Sequence, residues 1–144
     1  MNTEIEEFLK KYPDIFFTLD GSGNLTHLDC FNPNISDLPD LNNLINLTYL
    51  NCANTKISSL PDLSNLKHLE YLDCSNTNIS SLQGIENCVN LKYLDCYNTN
   101  ISSLRGIENC VNLTYLYCAN TKVSSLQFQF HAGPIKKDRI VIFL

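Results

Sequence analysis

Residues 91–112 read LKYLDCYNTNISSLRGIENCVN, and the 22 residues before them, 69–90, read LEYLDCSNTNISSLQGIENCVN. The two stretches differ only at 70/92, 75/97 and 83/105. The same spacing extends outward, because leucines recur every 22 residues at positions 25, 47, 69, 91 and 113. A cysteine follows each of these leucines five residues later. Self-similarity at a fixed period of this length predicts a solenoid of stacked units.

Each unit, counted from its recurring leucine, begins with a strand-like pattern. Positions 1, 4 and 6 are apolar, whereas positions 3 and 5 are polar or aromatic. This alternation predicts a short β-strand with one face inward. Because one such strand cannot bury its face alone, the stacked units predict a parallel sheet. The second half of each unit contains Pro or Gly and is too short for an α-helix with its turns. It therefore predicts 3₁₀ or irregular turns.

The unit resembles the leucine-rich repeat family. Its length and its NLxxLxCxxTxISSLxGIxN cadence are similar to the short repeats of the internalin group. The resemblance covers about residues 24–126. It implies an α/β repeat solenoid with a five-stranded parallel sheet on the concave face, 3₁₀ or irregular turns on the convex face, and an N-terminal helical cap. The family usually carries an inter-coil Asn where this chain has Thr77 and its equivalents, and an Asn stands one residue earlier, so either residue could form the ladder.

The repeats divide the chain into three expected segments. These are an N-terminal helical cap at 1–23, five repeats at 24–126, and an irregular tail at 127–144. Thr3 and Glu6 form a capping-box pattern, and Ile5, Phe8 and Leu9 share one face of the helix that follows. We expect this helix and residues 15–17 (Ile-Phe-Phe) to cover the first coil. The β-prone run at 140–144 predicts either a capping strand or a segment that pairs with another chain.

Composition and charge exclude several classes of protein. The chain is 44% hydrophobic and 17% charged, which is typical of a folded domain rather than a disordered one. Its net charge of −5 argues against nucleic-acid binding, which needs a cationic face. No apolar run reaches the length of a membrane helix, so we expect a soluble chain with no membrane partner. Residues 1–11 lack the pattern of a signal peptide. We therefore expect a cytoplasmic protein, with leaderless delivery into a host cell as the alternative.

The reactive residue types are explained by the repeat. All seven cysteines occupy its apolar positions, so we expect buried free thiols rather than disulfides or metal ligands. Residues 18–29 match part of a calcium-binding loop, but Thr18 stands where the first ligand should be Asp, and Asp29 stands where the last should be Glu. This segment therefore predicts a tight turn. No phosphate loop or acid–base set stands out, so we expect no enzyme, cofactor or metal.

The concave face is the candidate functional site, and we define it by positions 3, 5 and 7 of the units. All tyrosines except Tyr12 fall on it. Tyrosine gives a large contact area with few rotatable bonds, and the interleaved Asp and Asn add hydrogen bonding and negative charge. The candidate protein-binding residues are His27, Asp29, Phe31, Tyr49, Asn51, Tyr71, Asp73, Tyr93, Asp95, Tyr97, Tyr115 and Tyr117.

These residues predict a non-catalytic module that binds a protein or peptide, with a basic partner bearing Lys or Arg as the candidate. A host-directed effector role is consistent with the resemblance. Two alternatives stay open. The tyrosines could instead form a structural ladder that stabilises the sheet. The chain could also be a structural scaffold, as a monomer or a weak homo-oligomer that associates through its C-terminal edge.

Overall fold

The computed structural model describes residues 3–124 and the backbone of residues 141–143. A single helix and seven strands follow one another along these residues: α1 (Thr3–Lys11), β1 (Phe16–Leu19), β2 (Leu25–Asp29), β3 (Tyr49–Asn51), β4 (Tyr71–Asp73), β5 (Tyr93–Asp95), β6 (Tyr115–Tyr117) and β7 (Val141–Phe143). Two 3₁₀ helices lie at Ile85–Asn87 and Ile107–Asn109. Within the described part of the chain, no helix is long and apolar enough to cross a membrane.

The repeat units stack into the predicted solenoid. Strands β2 to β6 are parallel and in register, so each residue lies beside its equivalent 22 residues later. The described residues contain four complete coils and the first half of a fifth. The predicted parallel sheet and 3₁₀ turns are confirmed.

The sheet has seven strands, however, whereas five were expected. Strand β1 pairs antiparallel with β2, and β7 pairs parallel with β6.

A continuous apolar column fills the interior of the solenoid. The side chains at positions 1, 4 and 6 of every coil are buried, and so is the isoleucine at position 11 of the first four coils. These residues form one core cluster that runs from α1 to the cysteine of the fifth coil. Because neighbouring coils present identical residues, each layer of the core repeats the layer before it.

The turn that follows each strand assigns different roles to Asn and Thr. The asparagine at position 8 has a left-handed backbone in four coils, with φ between 52° and 57°, and asparagine tolerates this conformation well. In Asn76 and Asn98, the backbone N–H also donates to a carbonyl of the next coil. The Thr77 hydroxyl instead donates to the Cys74 carbonyl of its own coil at 2.7 Å. The asparagine position therefore links neighbouring coils, while the threonine closes the turn within one coil.

The convex turns have two forms. In the third and fourth coils, Gly84 and Gly106 have φ values of 86° and 98° and precede the 3₁₀ helices. In the first two coils an aspartate replaces this glycine. The Asp62 carboxylate accepts a hydrogen bond from the Ser64 N–H at 2.9 Å and closes the turn without a 3₁₀ helix. The glycine turn and the aspartate turn both let the chain return to the next strand over a short distance.

The N-terminal segment covers the first coil in part. Ile5, Phe8 and Ile15 are buried against the core. The expectation that Phe16 and Phe17 also cover the coil is wrong for their side chains, because both are exposed. They belong to β1, whose backbone extends the sheet at its edge.

The segment between β1 and β2 forms the predicted tight turn. The Asp20 carboxylate accepts hydrogen bonds from the backbone N–H groups of Ser22 and Asn24, each at 2.9 Å. Gly23 has a φ of 81° at the end of this turn. The helix begins at Thr3, so the residue that would cap it lies outside the described residues. Leu126, which was expected to end the repeats, and the tail over 127–140 also lie outside them.

Candidate protein-binding face

The aromatic residues at position 3 form a stacked column along the concave face. His27 and Tyr49 lie with ring centroids 3.8 Å apart and planes 5° from parallel. Tyr49 and Tyr71 stack at 4.3 Å, and Tyr71 and Tyr93 at 4.4 Å, both with planes 6° apart. The in-register pairing of the parallel strands places each ring directly beside the next. The rings from His27 to Tyr93 therefore form one continuous stacked ladder along the sheet.

The column ends differently at its two sides. At the N-terminal end, Phe16 meets His27 edge-on at 5.5 Å with an interplanar angle of 83°. At the C-terminal end, Tyr115 does not continue the stack, because its ring lies 6.2 Å from Tyr93 and is tilted by 44°. Tyr117 lies 5.5 Å from Tyr93 with a tilt of 39°. Tyr117 stands at position 5, where every other coil carries Asp or Asn.

The acidic residues and the asparagine at position 5 shape the local backbone. The Asp95 carboxylate accepts the Tyr97 N–H at 2.8 Å, and the Asp73 carboxylate accepts the Ser75 N–H at 2.9 Å. Asn51 makes the equivalent bond in its own coil at 2.9 Å, through its amide oxygen. Position 5 thus forms an Asx-type turn that a neutral amide can also provide. The second oxygen of the Asp95 carboxylate lies 3.5 Å from the Tyr93 hydroxyl.

The electrostatics of the face follow from burial and like charge. Burial raises the pKa of Asp95, and the neighbouring Asp73 carboxylate raises it further, while the hydrogen bond from the Tyr97 N–H opposes the shift. Burial also raises the pKa of Tyr93 to about 12, with a contribution from the Asp95 charge. The pKa of Tyr71 rises further still, again chiefly through burial between its neighbours. Tyr71 and Tyr93 therefore present neutral hydroxyl groups at physiological pH.

Position 7 contributes two large exposed side chains. Phe31 is 63% exposed and Tyr97 is 40% exposed, whereas Ala53 and Ser75 at the same position are buried. The Tyr97 hydroxyl accepts a hydrogen bond from the Asn120 side chain at 3.1 Å, which holds the ring toward the last coil.

The predicted site residues all lie in the described part of the chain, and the structure brings them together in two groups. The first is the stacked column from His27 to Tyr93. The second lies at the C-terminal end and is called the terminal cluster below: Tyr93, Asp95, Tyr97, Tyr115 and Tyr117. Phe31, in contrast, lies at the opposite end of the face. Two residues that take part were missed, Phe16 and Asn120. Phe16 lies outside the 22-residue register, and the role of Asn120 depends on a contact 23 residues away.

The cysteines lie behind the sheet and take no part in this face. All seven are free and buried. The thiols of Cys52, Cys74 and Cys96 donate to carbonyls of the following coil at 3.3–3.4 Å. Burial raises the pKa of every one of these thiols, for example that of Cys30 to about 12. A neutral buried thiol is a poor nucleophile and a poor metal ligand. Among the described residues, no three His, Cys, Asp or Glu side chains come together as a set of metal ligands.

The family of the chain follows from comparison with known proteins. A family model described as "Leucine Rich repeats (2 copies)" matches residues 23–65, 45–87 and 89–130. The chain therefore belongs to the leucine-rich repeat family, whose fold generally serves to bind other proteins.

A solved structure shares the fold. It is the crystal structure of an internalin (inlF) from Listeria monocytogenes, which matches with a TM-score of 0.54 at 22% sequence identity. The alignment covers 85% of this chain but only 43% of the internalin chain. The chain thus spans less than half of that protein and resembles it in fold. No curated protein sequence matches the chain significantly.

Proposed function

We propose that the chain is a non-catalytic interaction module that binds a protein or peptide on its concave face. The observation that carries this proposal is the concentration of tyrosine and aspartate on one side of a rigid sheet. Tyrosine is favoured at recognition surfaces because its ring is large, rigid and amphipathic. Membership of the leucine-rich repeat family supports the same kind of role.

The charge of the face favours a basic partner. Asp73 and Asp95 lie on adjacent strands in register, so two carboxylates stand side by side on the face. The chain as a whole carries a net charge of −5. A segment bearing Lys or Arg would be attracted by both and would be oriented by them. The candidate residues lie along the short repeat strands β2 to β6, which offer a narrow face, so we expect a modest interface.

The test is peptide selection on the purified chain, followed by affinity measurements with two matched variants. Tyr97→Ser with Tyr117→Asn removes two tyrosines from the face. Both substitutions introduce residues that other coils carry at these positions, Ser75 and Asn51, so the fold has a precedent for them. Val89→Ser with Val111→Ser removes two side chains at position 21 of their units, outside the concave-face positions, with exposures of 41% and 40%.

We expect the selected peptides to lose binding to the tyrosine variant and to keep it with the valine variant, by fluorescence anisotropy. Equal losses in both variants, or unchanged binding to the tyrosine variant, would overturn the proposal. Circular dichroism of each variant checks that the solenoid is intact.

The expectations about self-association, an effector role and a cytoplasmic location remain predictions. Self-association through the C-terminal edge is tested by light scattering at several concentrations, where a constant monomer mass would contradict it. The effector role and the cytoplasmic location are tested by fractionation of the source cells and of any cells they contact.

A further inference from the structure

The middle of the aromatic column has no ring face to offer to a ligand. Tyr49 is stacked between His27 and Tyr71, and Tyr71 between Tyr49 and Tyr93, at centroid distances of 3.8–4.4 Å. Both faces of each ring are therefore covered by a neighbour. A group that binds to an aromatic face can reach one only where the column ends.

The two ends of the column are not equivalent. At the N-terminal end, the Phe16 edge contacts His27 at 5.5 Å. At the C-terminal end, the rings of Tyr115 and Tyr117 diverge from Tyr93 by 44° and 39°. Tyr115 is 46% exposed and Tyr117 is partly buried, so the Tyr115 ring is the part of this divergent group that solvent reaches most readily. Angled aromatic rings around a shared space are the arrangement that receives a cation.

Two carboxylates lie beside this divergent group. Asp95 is in register with Tyr117 on one side and with Asp73 on the other. The spacing of adjacent strands, about 4.8 Å, sets the distance between the two backbones. Each carboxylate uses one oxygen for the N–H two residues later, and the second Asp95 oxygen accepts a long hydrogen bond of 3.5 Å from the Tyr93 hydroxyl.

The described residues supply no counter-charge to the carboxylate pair. Within residues 3–124, no Lys or Arg forms an ion pair with Asp73 or Asp95. Among the described residues, the side-chain groups that act on Asp95 are the Asp73 carboxylate and the Tyr93 hydroxyl, and neither is cationic. The raised pKa of the Asp95 carboxyl agrees with this environment. A bound cation would remove the repulsion between the two carboxylates.

We propose that the terminal cluster, together with Asp73, binds an arginine side chain of the partner protein. A guanidinium is planar, stacks on tyrosine rings and donates in a fixed fork that suits two neighbouring carboxylates. An ammonium group matches the charge but has neither the plane nor the fork. This inference rests on the proposed function, since it names the group that the concave face recognises.

The test uses three synthetic peptides that carry a single arginine, citrulline or lysine between glycine and serine residues. Citrulline has the shape of arginine without its charge. NMR titration of the unlabelled peptides against the full chain, with labelled tyrosine rings, locates the contact. We expect saturable shifts at Tyr93, Tyr115 and Tyr117 with the arginine peptide, and an affinity at least about tenfold lower for the lysine and citrulline peptides.

Two variants test the carboxylate. Asp95→Asn keeps the turn, because Asn51 makes the same backbone bond in its own coil. Asp62→Asn removes one charge from a similar turn on the convex side, away from the concave face, where the Asp62 carboxylate also accepts the N–H two residues later. We expect Asp95→Asn to weaken the arginine peptide about tenfold and Asp62→Asn to leave its affinity within about twofold.

Equal affinities for arginine and citrulline, or for arginine and lysine, would overturn the proposal without any variant being made. Equal losses in Asp95→Asn and Asp62→Asn would also overturn it, because they would indicate non-specific attraction. Failure here is distinguishable from failure of the proposed function. Peptides selected on the concave face that lack arginine would leave the module intact and remove only this inference.

Discussion

Replacement of Tyr71 by serine separates the structural role of the aromatic column from its role in recognition. Tyr71 stacks on Tyr49 at 4.3 Å and on Tyr93 at 4.4 Å, with nearly parallel planes in both contacts. An aromatic pair contributes about 0.5–1.5 kcal/mol beyond its buried area, so two pairs amount to about 1–3 kcal/mol. We therefore expect Tyr71→Ser to lower the free energy of unfolding by at least this amount.

The matched control is Tyr115→Ser, which removes the tyrosine at the same position of the last described coil. Tyr115 makes one tilted contact at 6.2 Å and is 46% exposed, so its loss should cost less than about 1 kcal/mol. Urea unfolding followed by circular dichroism measures both variants. A double-mutant cycle between positions 49 and 71 then isolates the coupling of that pair. Equal costs for Tyr71→Ser and Tyr115→Ser, or zero coupling in the cycle, would refute the ladder.

Three further predictions address the turns, the carboxylates and the thiols. A Cβ at Gly84 would lie 2.8 Å from backbone atoms of the preceding coil at a φ of 86°, whereas nothing lies within 4 Å of the Cβ position at Gly21. We expect Gly84→Ala to cost more than about 2 kcal/mol in urea unfolding and Gly21→Ala less than about 0.5 kcal/mol, and similar costs would contradict the close approach. The pKa of the Asp95 carboxyl is raised above 3.8 in the folded chain, so the folded state binds this proton more tightly than the unfolded state. The chain therefore loses stability as the pH rises from 3.8 through the raised pKa. Asp95→Asn should therefore be at least as stable as the natural chain at neutral pH, with the difference shrinking as the pH falls through the raised pKa toward 3.8, and a gain that grows in acid would contradict this sign. The seven buried thiols, with the pKa of Cys30 raised to about 12, should react with a thiol reagent at neutral pH only as fast as the chain unfolds, and rapid labelling of the folded protein would refute their burial.

The sequence predicted the repeated part of the fold because the same interactions are encoded several times. Each strand from β2 to β6 follows the same alternation of apolar and polar residues. A strand predicted in one unit is therefore supported by the same pattern in the other units. Strand β1 was not predicted as part of the sheet, since Phe16 and Phe17 form an apolar pair that suggests burial. Its position depends on antiparallel pairing with β2, and the 22-residue pattern gives no information about that pairing because β1 precedes the first unit.

The candidate site was predicted in composition but not in geometry. The spacing placed the tyrosines on one face, and the exception at Tyr117 was visible as a break in the pattern. Its consequence was not visible, because the tilt of the last rings depends on how Tyr115 and Tyr117 share space beside Tyr93. The sequence likewise could not decide whether Asn or Thr links neighbouring coils at the turn after each strand. That choice depends on the left-handed backbone at Asn76 and on which carbonyl the Thr77 hydroxyl reaches.

The in-register stacking has a consequence for how such a chain can lengthen. Duplication of residues 69–90 would insert one more coil whose tyrosine continues the column at the same spacing, since residues 69–90 and 91–112 are already nearly identical. The new ring would be covered on both faces, and the two ends would keep their present neighbours. Gene duplication can therefore change the span between the ends without altering the chemistry of either one, so that length and specificity evolve as separate traits.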